Sequence, residues 1–219
     1  MLLRAALLLL LTVGVAQAGP WPEETTGTFI SVTEEFDNSD RRGTTSIFVE
    51  SGSRERFTIG VDSDLGATDE DWSAYAFIRQ PLSSPSARDR VAISAGLGAQ
   101  QTVDGSEPLI VLGGAWGRDV ENGVPGWLSL EGSARYGTTS GETKLSGGAT
   151  VAVKPIDRIA LVNEFSVTGV SGSAADPERQ LTSSIVGTLT QRARVELGAT
   201  VDLSGSTGPG IRLGTWLEF

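Results

Sequence analysis

Glu131 and Glu164 lie near the middle of two segments in which polar and apolar residues alternate, and both fall on the polar parity. The same parity in other segments carries Arg56, Asp62, Arg79, Arg90, Arg135, Arg194, Glu196 and Arg212. Guanidinium and carboxylate groups spread over strand faces in this way form a transverse ladder of opposite charges. Such a ladder requires water or mutual pairing, because an unpaired charge away from water is costly. A wet channel interior meets that requirement. Within it Glu131 and Glu164, with Arg135, Arg194, Glu196 and Arg212 around them, are candidates for a constriction that favours cations. The competing reading of the same residues is a set of ion pairs that brace the interior.

A second acidic group, Asp62, Asp64, Asp69, Glu70 and Asp71, gathers around one connection. Carboxylates at this density are candidate Ca²⁺ ligands. Their spacing does not match an EF-hand loop, and an acidic loop in water accounts for them without a metal.

The chain has no histidine and no cysteine. That removes the usual general bases near neutral pH, most transition-metal sites and any disulfide. A carboxylate dyad is the one acid–base pair left, and charged groups solvating a lumen explain the same residues. The glycine-rich stretches Ala95 to Gln100 and Leu112 to Gly117 fall within strand-like segments and not at a strand-to-helix turn, so they predict close packing and barrel curvature, not a phosphate cradle. No catalytic residue and no cofactor is assigned.

The formal net charge is −10, which argues against nucleic acid as a partner. Residues 1–18 read as a secretory signal peptide: Arg4 supplies a positive start, Ala5 to Leu11 an apolar core, and Ala16-Gln17-Ala18 a small-x-small cleavage site. Residues 19–219 then form a single domain. After the leader no apolar run approaches the ~20 residues of a membrane helix. Mean hydropathy is −0.02, as expected where polar and apolar residues alternate.

The elements that position the ladder are β-strands. Twelve β-prone segments, near 26–36, 43–51, 56–63, 72–81, 90–100, 108–118, 126–136, 142–153, 158–168, 179–190, 193–204 and 209–219, are separated by short clusters of Gly, Ser, Asp, Asn and Pro. One face of each is apolar. Val195, Leu197, Ala199, Val201 and Leu203 give the clearest row, opposite Arg194, Glu196, Gly198, Thr200 and Asp202. An even strand number returns both ends of an up-and-down barrel to the same rim, and a segment of about ten residues suits a tilted membrane strand. Phe57, Trp116 and Phe219 then fall on the outward face near one rim and Phe36, Trp72 and Tyr136 near the other, as two aromatic belts. Asn163 and Glu34 are polar exceptions on the outward rows.

The final segment, Arg212 to Phe219, resembles the C-terminal assembly signal of Gram-negative outer-membrane β-barrels. The places of that motif are filled by a polar Arg212, Gly214 two residues on, a hydrophobic Leu217 and a terminal aromatic Phe219. The resemblance covers eight residues. It implies a closed antiparallel up-and-down transmembrane β-barrel of about 12 strands in the cell outer membrane, closed by pairing the last strand against the one near Thr28 to Glu35. The implied partners are outer-membrane lipid, lipopolysaccharide and the barrel assembly machinery, and the implied function is a narrow passive pore for small hydrophilic solutes or a structural barrel. The pattern of one apolar face per strand also fits a secreted soluble β-sandwich that binds carbohydrate or protein.

Overall fold

The computed structural model describes residues 27–37, 43–53, 57–66, 72–84, 86–102, 104–121, 123–205 and 208–219. The leader and Arg56, Asp69, Glu70 and Asp71 lie outside the described residues. Twelve strands follow one another: β1 (Thr28–Asp37), β2 (Gly43–Ser53), β3 (Phe57–Leu65), β4 (Trp72–Pro81), β5 (Asp89–Thr102), β6 (Gly105–Val120), β7 (Gly126–Gly137), β8 (Thr143–Ile156), β9 (Ile159–Val170), β10 (Glu178–Thr188), β11 (Ala193–Asp202) and β12 (Gly210–Glu218). Each pairs antiparallel with its sequence neighbours, and β12 pairs with β1, so the sheet is a closed barrel. Backbone bonds between Thr28 and Phe219 (3.0 and 2.9 Å) continue the seam past the last strand residue.

Alternation produces the strands, and the turn residues end them. Gly141 and Gly172 adopt φ of 73° and 80° in the connections after β7 and β9, a conformation that side chains on other residues resist. The observed strands match the twelve expected segments, with the largest extension in β6, which runs to 16 residues. Between β8 and β9 the register shifts between Val153 and Ile156, so β8 carries a bulge at its end.

The start of β1 and the end of β12 lie at one rim, the terminal rim; the other is distal. The apolar rows face outward: Leu97 is 70% exposed, and Ile59, Leu112, Leu130, Ile185 and Leu197 are each more than half exposed. A belt this continuous calls for lipid, not water. A sandwich would bury these rows against a second sheet, and a closed single sheet has none. The expected aromatic belts lie on the outward rows, since Phe36 pairs with Ile211, Trp72 with Leu65, Tyr136 with Ile110 and Trp116 with Leu130. The two polar exceptions on the outer wall are partnered across strands, Asn163 accepting from Ser183 Oγ (2.8 Å) and Glu34 from Thr45 Oγ1 (3.2 Å).

Inside, the packing is uneven. Trp127, Ala152, Ala160, Val162 and Val186 are buried together, with Trp216 against them, all on inward rows of β7 to β10 and β12 toward the terminal rim.

Candidate functional site

The register places every described member of the expected ladder on the inner wall: Asp62, Arg79, Arg90, Glu131, Arg135, Glu164, Arg194, Glu196 and Arg212. All but Glu131 pair with another side chain of the inner wall, within this set or beside it. Arg135 of β7 crosses the lumen to β3 and β4, where it reaches Asp64 (3.4 Å), Asp62 (4.0 Å) and the Ser73 hydroxyl (3.4 Å), with Tyr75 beneath its guanidinium at 5.1 Å from the ring centre. Arg212 of β12 spans from Glu35 on β1 (3.1 Å) to Glu164 on β9 (3.0 Å), and Gln180 donates to the other oxygen of Glu35. Arg79 binds Glu50 (2.6 Å) and Arg194 binds Glu218 (2.6 Å), in both cases with the carboxylate buried. The Trp216 ring nitrogen donates to Glu196 (3.2 Å), and Gly214 makes room for it, since a Cβ there would lie 2.9 Å from Glu196 Oε2.

Glu131 and Glu164 line one central cavity of about 310 Å³, together with Asp62, Tyr75, Arg79 and Arg135. The two carboxylates differ. Glu164 is held by Arg212, whereas Glu131 is exposed to the lumen and, among the described residues, forms no hydrogen bond or ion pair. Its side chain lies over Gly148, where a Cβ would sit 3.2 Å from Oε1. Hydroxyls and bare backbone form much of the remaining wall, from Ser94, Gly113, Ser133, Ser146 and Ser166. A free carboxylate in a polar, water-accessible chamber attracts cations, and the cross-lumen pairs restrict the passage beside it.

The acidic group expected near the β3–β4 connection divides. Asp62 and Asp64 are strand residues on the inner wall, because β3 continues to Leu65; Asp62 accepts from Tyr75 Oη (2.6 Å) and Asp64 from Ser46 Oγ (2.8 Å). Asp69, Glu70 and Asp71 are outside the described residues.

An inner aromatic arc was not singled out from sequence. Trp216, Phe29, Phe48, Phe77 and Tyr75 form successive ring contacts with centroids 5.7 to 6.3 Å apart, and Arg79 covers Phe77 at 5.3 Å. Parity alone places these rings inside. Gly60, Gly96 and Gly98 are their counterparts: a Cβ on Gly60 would lie 2.4 Å from the Phe77 ring, and one on Gly98 would lie 2.5 Å from Tyr75.

At the distal rim, Glu107 of β6 holds the turn after β7. It accepts from the Ser140 and Thr139 backbone N–H groups (3.0 and 3.2 Å), the Ser140 hydroxyl (3.1 Å) and the Gln100 amide (2.8 Å). Those bonds, the Ser140 N–H first among them, hold its carboxyl below the usual glutamate range.

No family model matches the chain, and no curated protein is detectably similar in sequence. Solved structures do match. The NanC porin aligns over 86% of this chain and 98% of its own, at 9% identity and a TM-score of 0.63. The KdgM porin aligns over 87% and 99%, at 10% identity and 0.58. An outer-membrane channel from Pseudomonas putida F1 aligns over 95% and 100%, at 15% identity and 0.56. The chain has the closed β-barrel fold of these porins and this outer-membrane channel.

Proposed function

We propose that this protein is an exported outer-membrane barrel that forms a narrow passive pore for small hydrophilic solutes, with a preference for cations set at Glu131. The observation that carries the reading is the central cavity in which Glu131, alone among the lining carboxylates, forms no hydrogen bond or ion pair among the described residues. The fold and the exposed apolar belt support residence in a bilayer; the leader and the Arg212, Gly214, Leu217, Phe219 motif support export and insertion by the barrel assembly machinery. Lipid and lipopolysaccharide are the surroundings this reading implies. One similar structure is that of KdgM with a disordered oligogalacturonate, a polyanion. Here carboxylates outnumber cationic groups on the inward rows, which disfavours an anionic solute. The reading assigns no catalysis.

A structural barrel is the second reading, favoured by the buried cluster around Trp127, with the half-buried Trp216 against it, that fills part of the terminal end. Planar-bilayer recording under a salt gradient separates the two. The pore reading expects discrete conductance with a cation-side reversal potential that moves toward zero in Glu131→Gln. Silent, correctly folded protein favours the structural barrel, and a reversal potential unaffected by the substitution removes Glu131 from the role.

A further inference from the structure

The outer wall carries a groove that leads from the distal rim into the apolar belt. Arg179 of β10 stands opposite Val167 of β9, Val167 opposite Gly147 of β8, Gly147 opposite Gly132 of β7 and Gly132 opposite Gly114 of β6. All five face outward. Paired strands lie about 4.8 Å apart, so the row runs across the strands for roughly 19 Å from Arg179 to Gly114, and the tilt of the strands carries it down from the rim. Along the three glycines the floor is bare backbone; Leu112 and Leu145 stand on one side, Leu130 and Trp116 on the other.

At the distal end the floor deepens into a pocket of about 510 Å³ between the wall at Gly147, Val167 and Gly169 and the 171–177 connection. Pro177 forms part of its roof, 3.2 Å from where a Cβ on Gly169 would sit. Arg179 is exposed, stands opposite Val167 and two residues after Pro177, both of which line this pocket, and forms no ion pair among the described residues, although Asp176 and Glu178 are its neighbours in sequence.

We propose that the groove holds one acyl chain of a phosphorylated membrane lipid, with the phosphate at Arg179. An unpaired guanidinium at the mouth of an apolar channel matches a phosphate joined to a hydrocarbon chain, and guanidinium is the side-chain group best suited to phosphate. The occupant is a chain and not a second barrel. The trough is one side chain wide and runs across the strands, whereas a convex barrel wall would bridge over it. The proposal rests on the outer wall facing lipid and is independent of whether the lumen conducts.

The glycines offer a clean test, because a Cβ at Gly114, Gly132 or Gly147 would meet nothing closer than 3.6 Å. Gly132→Leu therefore fills the trough without disturbing the barrel. Folded full-length protein in detergent is titrated with phosphatidylglycerol, with diacylglycerol of the same chains, and with inorganic phosphate, and bound species are counted by native mass spectrometry. Heat-modifiable migration on SDS gels checks the fold of each variant and, separately, the barrel reading itself. One phosphatidylglycerol is expected to be retained in preference to diacylglycerol, and Arg179→Gln and Gly132→Leu should each weaken retention by about tenfold, the loss of a charge-assisted contact or of the chain's seat. Equal retention of phosphatidylglycerol and diacylglycerol, undiminished binding in folded Gly132→Leu, or binding of inorganic phosphate alone would each overturn the proposal.

Discussion

Arg212 on the last strand contacts Glu164 on β9 at 3.0 Å, bypassing two intervening strands. The polar residue of the C-terminal motif is thus also a brace across the lumen. With Glu35 on β1 it ties the seam to β9, three strands round the barrel.

Arg212→Gln removes that brace and leaves Glu35 and Glu164 facing each other's charge without a counter-ion. Loss of the paired contacts is expected to cost about 2 kcal/mol, less than for a fully dry pair because the lumen is wet. Urea unfolding in detergent measures it. In bilayer recordings the same variant should shift the reversal potential further to the cation side, opposite in sign to Glu131→Gln.

Phe219 contributes two things that can be separated. Its backbone closes the seam through bonds to Thr28, and its exposed ring sits on the outward face. Phe219→Ser should refold in detergent like the unmodified protein and yet reach the outer membrane poorly in cells. Deletion of Phe219 also removes the seam bonds and should lower stability in detergent by about 1 kcal/mol. Normal cellular insertion of both variants would leave the motif without a role.

Glycines of the inner and outer walls should differ in their tolerance of a methyl group. Gly60→Ala drives a Cβ into the Phe77 ring and the Val49 carbonyl, at 2.4 and 2.5 Å, and is expected to destabilise by about 1–3 kcal/mol. Gly132→Ala meets only ordinary contact and should stay within about 0.5 kcal/mol of the parent. Thermal loss of the heat-modifiable form compares them directly.

Glu107 gives a pH dependence with a definite sign. Its folded carboxyl titrates below the unfolded value, so the turn at Thr139 and Ser140 is held fully above the unfolded glutamate range near pH ~4.3 and is released as pH falls through the lower folded value. Amide exchange at Ser140 should accelerate in acid relative to the intrinsic rate. In Glu107→Gln it should already be fast at neutral pH, with little further acid response.

The strands and their faces were legible because a period of two survives every local irregularity: Leu197 and Glu196 need only their parity to be placed on opposite sides of the wall. The neighbours across the lumen were not. Glu131 and Glu164 look alike in sequence, each mid-strand and inward, yet one is clamped by Arg212 and the other is free. That difference depends on which residues of distant strands reach the same height, and strand stagger fixes it, not local pattern. Asp64 was read with a loop because β3 outlasts its apolar alternation by one Asp-Ser-Asp-Leu stretch. The burial of Trp127 was equally hidden, since parity names a face and says nothing of how full the space behind it is.

The uneven filling of the barrel has a mechanical consequence. On β7 to β10 and β12 the interior near the terminal rim is packed like the core of a water-soluble protein, while the central cavity above it, lined in part by the same strands, is spanned by direct ion pairs. The terminal end therefore resists deformation, and the middle of the barrel yields to ionic strength. A change in bore under high salt would be hinged at the tryptophan end, with the wall around the cavity opening or closing above it.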